Sequence, residues 1–335
     1  MARYTNFPNG ITSFGHPVGP NTQGLTGDAF FVVPSANSST SYFNDWATQR
    51  LPKGKVFTSV AAAYAATTTG RNDTVYVFPG TYTVTSALSW AKHHTHLVGL
   101  GGPGYYGVDS YAPNVLMECT TAAVAEVVDF AGHNCQCWNM SFSNRAADAG
   151  NLCAVEVTSY GNYFNNCYFN GLMATTQVAT AAAAALYIGN AGLSMFERCH
   201  IGQDVWSIRT GSDQGCIRFT STSRPNNITF KDCQIKSHSK TAACAMVAVP
   251  AATSTGRNIL FDNCIFTNFA DDGTSINQAF HTTASGQKHS ILLHNCSAFG
   301  IDEWQDDNLD MVIGTMPITG TGGGLHIEQT GVAGA

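Results

Sequence analysis

The sequence predicts an all-β chain wound as a right-handed parallel β-helix with three strands per turn. Three observations predict it. Between Cys135 and Phe299 one short pattern returns six times: an apolar pair two apart, two bend residues, then an apolar pair again two apart. The copies return at a nearly constant interval. A third short apolar run precedes each copy after the first.

The copies are Cys135-x-Cys137 then Met140-x-Phe142, Asn162-x-Phe164 then Cys167-x-Phe169, and Ser194-x-Phe196 then Cys199-x-Ile201. They continue with Ile228-x-Phe230 then Cys233-x-Ile235, Ile259-x-Phe261 then Cys264-x-Phe266, and Ile291-x-Leu293 then Cys296-x-Ala298. Only Asn162 and Ser194 break the apolar rule. A spacing of two is the period of a half-buried strand, so the gap between the pairs is a corner joining two strands. The second corner residue is Asn139, Asn166, Arg198, Asp232, Asn263 or Asn295. Five of these six are Asn or Asp, the non-glycine residues that best tolerate a left-handed backbone.

Positions 140, 167, 199, 233, 264 and 296 lie 27, 32, 34, 31 and 32 residues apart, the signature of a solenoid. The third strands are expected at Cys153 to Val157, Ala185 to Ile188, Cys216 to Phe219, Cys244 to Ala248 and Gln278 to His281. Equivalent residues of stacked strands lie about 4.8 Å apart. Cys167, Cys199, Cys233, Cys264 and Cys296 are therefore expected to form an internal ladder capped by Met140. Asn139, Asn166, Asp232, Asn263 and Asn295 are expected to form a second, corner ladder of side-chain amides.

Composition narrows the function. Charged residues are only 11% of the chain and the net charge is -6, which argues against a nucleic-acid surface and against an anionic membrane. No stretch reaches the roughly 20 apolar residues of a membrane span, and Met1 to Pro20 lacks the apolar segment of a secretory signal. Eleven cysteines are expected to be free and buried, acting as small hydrophobes.

Taken in order, residues 1–28 form an extended arm rich in Gly, Pro, Asn and Thr, punctuated by Tyr4, Phe7, Ile11 and Phe14. Those side chains are the expected contacts to a partner. Residues 29–71 hold a strand at Phe30 to Val33, a loop from Ser35 to Lys55, and a short helix. Phe57, Val60, Ala61, Tyr64 and Ala65 share one helical face, Thr58 or Ser59 supplies the N-cap, and Gly70 lies beyond the end. A helix here covers the open edge of a β-helix. Residues 72–300 are the β-helix, with a further strand at Val115 to Met117. Residues 301–335 close the coil or contact another subunit, with Asp302, Glu303, Asp306, Asp307 and Asp310 forming an acidic patch around Trp304.

Residues 72–101, NDTVYVFPGTYTVTSALSWAKHHTHLVGLG, resemble the opening coil of the pectate-lyase-like β-helix superfamily. There a D-T-V-Y-V-x-P-G-T-Y run is followed by L-x-G-x-G. The corner asparagines are similar to that superfamily's asparagine ladder. The resemblance implies the fold over residues 56–300 and no single activity, because the fold hosts lyases, hydrolases and inert spikes.

Candidate catalytic groups fall in the longest loops, Gly171 to Ala184, Gly202 to Gly215 and Thr267 to Asn277. They are Asp204, Asp213, Asp271 and Asp272, since glycoside hydrolysis needs two carboxylates on one face. Asp and Gly are equally ordinary turn residues. Polygalacturonases of this fold pair Asp-Asp with Gly-His-Gly and Arg-x-Lys; here Asp271-Asp272 occurs without either companion. Pectate lyases place an arginine base beside a calcium-binding acidic cluster, which would point to Arg209 or Arg218. His94 and His96 are expected on one strand face with His93 nearby, as a solvated edge rather than a metal site. Cys135-Gln-Cys137 is no Cys-x-x-Cys motif, and the Gly320 to Gly324 run lacks the Lys-Ser/Thr of a phosphate loop. No cofactor and no metal are expected.

The opening, MARYTNFPNGITSFG, resembles the first residues of proteins encoded among tailed-phage head genes. With a β-helix, this implies a virion protein assembled in the host cytoplasm: a homotrimeric head decoration spike or fibre whose arm binds the major capsid protein or another virion protein. The rivals are a tailspike-type polysaccharide depolymerase and a non-catalytic adhesin that holds a host-surface glycan through exposed aromatics such as Trp206.

Overall fold

The computed structural model describes residues 12–13, 16–17, 27–35, 42–101, 115–205, 207–220, 225–250, 255–270, 272–282, 291–305 and 312–313. Apart from Thr12–Ser13 and His16–Pro17, which pair antiparallel as a separate two-stranded sheet within the segment expected to be an extended arm, they build a right-handed parallel β-helix of three sheets, called A, B and C here. Each turn runs from A through the Asn corner to B, crosses a loop to C, and returns to A. Sheet A has 11 strands, from Val56–Phe57 and Ala29–Val32 at one end, through Gln136–Trp138 and Tyr163–Asn165, to Val312–Ile313 at the other. Sheet B has 8 strands, from Gly80–Val84 to Ser297–Phe299, and sheet C has 8, from Leu88–Ser89 to Ile301–Gln305. The stack extends past Phe299, where the sequence pattern stops: Ile301–Gln305 pairs with Ile276–Thr282, and Val312–Ile313 with Ile291 and Leu292.

The strands are short because each contributes only one or two inward side chains before the backbone must turn. The inward positions form columns. Phe164, Phe196, Phe230 and Phe261 stack face to face at 4.8, 4.7 and 4.6 Å, with ring planes within 10° of parallel. Such pairs contribute about 0.5–1.5 kcal/mol each beyond burial. Beside this ring column run the sulfurs. Pairing registers place Met140, Cys167, Cys199, Cys233, Cys264 and Cys296 at equivalent points of successive turns. Each later thiol donates to the carbonyl of the inward sheet A residue one turn back: Cys233 to Phe196 O at 3.3 Å, Cys264 to Phe230 O at 3.3 Å and Cys296 to Phe261 O at 3.3 Å. The thiols thus sit in an apolar column with their weak donors satisfied. All eleven cysteines are free.

The corner column is left-handed throughout, with φ of 54° at Asn139, 51° at Asn166, 53° at Arg198, 54° at Asp232, 53° at Asn263 and 50° at Asn295. Asn166 Nδ2 donates to Asn139 Oδ1 at 2.8 Å, and Asn263 Nδ2 to Asp232 Oδ1 at 2.7 Å. Between them, Arg198 Nη2 turns instead to Asn165 Oδ1 at 3.3 Å. A second left-handed column, at the corner from C to A, comprises Asn72, His94, Asn134, Gly161, Leu193, Asn227 and Asn258, with φ between 50° and 73°. Its Asn-rich positions precede each sheet A strand in the sequence.

Helix α1 (Tyr42–Arg50) lies in the segment expected to be loop. Its sequence, YFNDWATQR, has no long apolar stripe. It is held by Ala47 and Trp46, which pack on the outer face of sheet A against Phe31, Tyr76, Phe78 and Val98. Helix α2 (Val60–Ala66) closes the end of the coil, with Ser59 Oγ accepting from Ala62 N at 3.2 Å. Val60, Ala63 and Tyr64 face the core, and Tyr64 stacks on the fully buried Trp90 at 4.2 Å. The Lys92 ammonium donates to Tyr64 O, Ala65 O and Thr67 O at 2.9, 2.9 and 2.7 Å, satisfying carbonyls that a helix C-terminus leaves open. Asp73, buried in the first full strand, accepts from Asp28 N, Thr68 N and Arg71.

Candidate functional site

The candidate site lies on the outer face of sheet C. Most of its strands are three residues long with the middle side chain outward: Val128-Asp129-Phe130, Val155-Glu156-Val157, Leu186-Tyr187-Ile188 and Ile217-Arg218-Phe219. The flanking residues are buried and fix the orientation. Registers therefore line up Asp129, Glu156, Tyr187 and Arg218 on the outer face, one per turn. At about 4.8 Å per turn, the two carboxylates are nearest neighbours.

The loop leading into Leu186–Ile188 folds over this row. Tyr187 Oη donates to Ala182 O at 2.5 Å and Arg218 Nη1 to Ala181 O at 3.2 Å. Thr158 Oγ1 donates to Asp129 Oδ1 at 2.6 Å, and Thr220 Oγ1 reaches Glu156 Oε1 at 3.5 Å. Glu126 lies half-buried beside them. Burial, then the neighbouring charges of Asp129 and Glu126, push Glu156 up to about 7. Burial also raises Asp129 despite the Thr158 hydrogen bond, and raises Glu126 with help from Asp129. Beneath them, burial and then the three carboxylates push the Cys153 thiol up, so it stays protonated and inert. The result is a partly desolvated carboxylate pair that holds a proton near neutral pH, with a phenol and a guanidinium in line. Such a pair can give and take protons. Among the described residues no group of His, Cys, Asp and Glu is arranged to hold a metal ion.

The carboxylates expected from the loops lie elsewhere. Asp204 faces Lys236 Nζ at 3.5 Å on the sheet B side. Asp213 faces His281 Nε2 at 3.0 Å and has a φ of 59°. Asp272 is exposed and accepts from Thr274 N at 3.0 Å, which holds its carboxyl below the usual range; it is a turn residue. Asp271, Trp206, Tyr4, Phe7, Ile11 and Phe14 lie outside the described residues, as do Asp306, Asp307, Asp310 and the Gly320 to Gly324 run. Trp304 is half-buried and packs against the core, edge-on to Phe266 at 5.6 Å, with Asp302 exposed and Glu303 half-buried beside it.

Arg209 is closed off from any substrate. Its side chain is buried, with Nε on Gln214 Oε1 at 3.1 Å, Nη1 on Ser237 Oγ at 2.8 Å and Nη2 on Gln214 O. Arg218 is the one of the two on the carboxylate row, next to Tyr187 and two turns from Glu156. His94 and His96 do not share a face. His94 occupies the left-handed corner with a φ of 50°, outside the strand. His96 is buried within it, accepts from Gln136 N through Nδ1 at 3.2 Å, and is pushed down to about 4 by burial. His93 stacks instead on His133 at 4.3 Å.

Fold and site together define a right-handed parallel β-helix with an outward carboxylate row on one sheet. No protein-family model and no curated protein matches the sequence. Solved structures do. The chain is similar to pectin methylesterase from carrot, at 15% identity and a TM-score of 0.52, covering 91% of this chain and 86% of that one. It is similar to the deglycosylated pectin methylesterase from Aspergillus niger, at 15% identity and 0.48, covering 81% and 90%. It is also similar to ORF18 of Geobacillus virus E2, at 13% identity and 0.45, covering 82% and 62%. At 15% identity the likeness to the carrot protein shows a shared fold alone. Among the described residues no helix is long and apolar enough to cross a membrane.

Proposed function

We propose that the chain is a structural protein of a tailed-phage virion: a homotrimeric head decoration spike or fibre, joined to the major capsid protein or another virion protein through its N-terminal arm. The observation that carries this reading is the continuous parallel stack from the Val56–Phe57 strand to Val312–Ile313, a stiff rod. It is set in series with an opening, MARYTNFPNGITSFG, that resembles phage head proteins. Buried free thiols suit assembly in a reducing cytoplasm. Self-association is supported by Ile265, Phe269 and Phe299, exposed on the outer face of sheet B near one end of the rod.

Deletion of residues 2–16 tests the reading. The truncated shaft folds and no longer joins particles, as measured by mass spectrometry of purified virions with copy numbers. Packing at normal copy number overturns the arm assignment.

A second reading is favoured by the Asp129–Glu156 pair: a polysaccharide hydrolase or lyase acting on a host-surface glycan. Release of reducing sugars or unsaturated products, abolished by Glu156→Gln and by Asp129→Asn, would establish it. The same glycan left intact by the unaltered protein would dismiss it.

A further inference from the structure

Away from the carboxylates, the corner between sheets C and A carries a column of outward side chains that breaks at one turn. Backbone hydrogen bonds fix its register: His94 N to His133 O at 3.0 Å, Asn134 N to Tyr160 O at 3.2 Å, Gly161 N to Gly192 O at 2.9 Å, Leu193 N to Asn226 O at 2.9 Å, and Asn227 N to Arg257 O at 3.0 Å. The column therefore reads His93, His133, Tyr160, Gly192, Asn226, Arg257.

The first three rings are stacked. His93 and His133 lie 4.3 Å apart at 2°, and His133 and Tyr160 lie 3.9 Å apart at 19°. Ser159 Oγ bonds His133 Nδ1, and His93 Nδ1 accepts from His133 N at 3.0 Å, so the imidazoles are held and the stack is rigid. At Gly192 the next ring is missing, and Tyr160 is left 44% exposed.

Turns rise about 4.8 Å each, so Tyr160 and Asn226, two turns apart, lie about 9.6 Å apart. That spacing admits one ring stacked on Tyr160. On the far side stand Asn226, whose Oδ1 accepts from Asn227 Nδ2 at 2.8 Å and whose Nδ2 is left as a donor, and the exposed Arg257. At the edge stands Leu193, 64% exposed and held at a φ of 59° in a column otherwise made of Asn, Gly and His. Left-handed leucine is strained, and strain of this kind concentrates at functional sites. An apolar face beside a polar rim matches a sugar ring, whose C–H face is apolar and whose edge carries hydroxyls, better than a wholly apolar guest.

We propose that the gap at Gly192 is a slot for one pyranose ring of a polysaccharide, stacked on Tyr160 and hydrogen-bonded by Asn226 and Arg257. The slot stands independently of the virion and enzyme readings, because it uses none of their residues.

The test titrates the full-length protein with neutral hexasaccharides of β-1,4-glucan, β-1,3-glucan and β-1,4-mannan, followed by calorimetry and saturation-transfer NMR. At least one binds at millimolar or tighter affinity. Tyr160→Ala and Gly192→Phe, which removes the floor and fills the slot respectively, each weaken it at least about tenfold. Tyr160 is a surface residue, so Tyr160→Ala keeps the parent's melting curve and reads binding alone. Two outcomes overturn the proposal: none of the three sugars binds the parent at about 10 mM, or Tyr160→Ala binds as well as the parent.

Discussion

Glu156 lies in direct register with Asp129 on the adjacent strand of sheet C, and both carboxyls are raised above their ordinary values. Two acids side by side in an in-register parallel stack, half removed from water, do not both ionise without cost.

The pair makes folding stability depend on pH. Glu156 rises from an ordinary 4.5 to about 7 on folding, so the folded chain keeps a proton that the unfolded chain releases. Stability from this proton is complete below the unfolded value of 4.5, declines as pH climbs towards 7, and is gone above it. With allowance for solvent screening of a half-buried group, the decline is about 1–2 kcal/mol. Glu156→Gln removes that slope, as read from urea midpoints measured at intervals across the range.

The phenylalanine column runs through the core as a continuous ring stack. Phe230 is fully buried between Phe196 and Phe261. Phe230→Ala leaves a cavity that neighbouring turns cannot fill without losing register, and costs about 3–5 kcal/mol. Phe230→Leu keeps most of the volume and costs less. Denaturant unfolding ranks the two; equal costs would mean the stack adds nothing beyond bulk.

Thiol chemistry reports on the sulfur column. Ten of the eleven cysteines are buried and Cys296 is half-buried. Ellman's reagent therefore labels about one thiol in the native protein and all eleven after denaturation. Cys296→Ala removes the native signal.

Lys92 holds the end cap. Replacing it with Met takes the ammonium from Ala65 O and Thr67 O, while Tyr64 O keeps its bonds from Thr67 N and Thr67 Oγ1, at a cost of about 1–3 kcal/mol. The loss is local. Hydrogen exchange of α2 accelerates while the amides around Phe230 keep their protection.

Much of this architecture was legible in the chain. The spacing of Met140, Cys167, Cys199, Cys233, Cys264 and Cys296 specified one turn per repeat. The Asn and Asp at the second corner position announced the left-handed backbone they adopt. The two-residue period sorted inside from outside. Helix α1 was not legible, because Trp46 and Ala47 bind it to a surface that sheet A creates and Asn44 Nδ2 donates to Pro34 O, contacts that no apolar stripe in the helix announces. The second left-handed column was legible in Asn134, Asn227 and Asn258 and hidden at Leu193, a residue that ordinarily avoids that conformation.

The site was less legible than the shaft. The loop aspartates do not assemble: Asp204, Asp213 and Asp272 each meet a different partner. The carboxylates that come together, Asp129 and Glu156, are 27 residues apart and look like ordinary outward strand positions. By itself the sequence determined the coil, its period and which side chains face inward, because those follow from local spacing and backbone preference. Only the tertiary structure decided which outward residues become neighbours and how far each is removed from water. Loop lengths between turns set that pairing, and burial, a property of the whole stack, sets the proton affinity of the groups it joins.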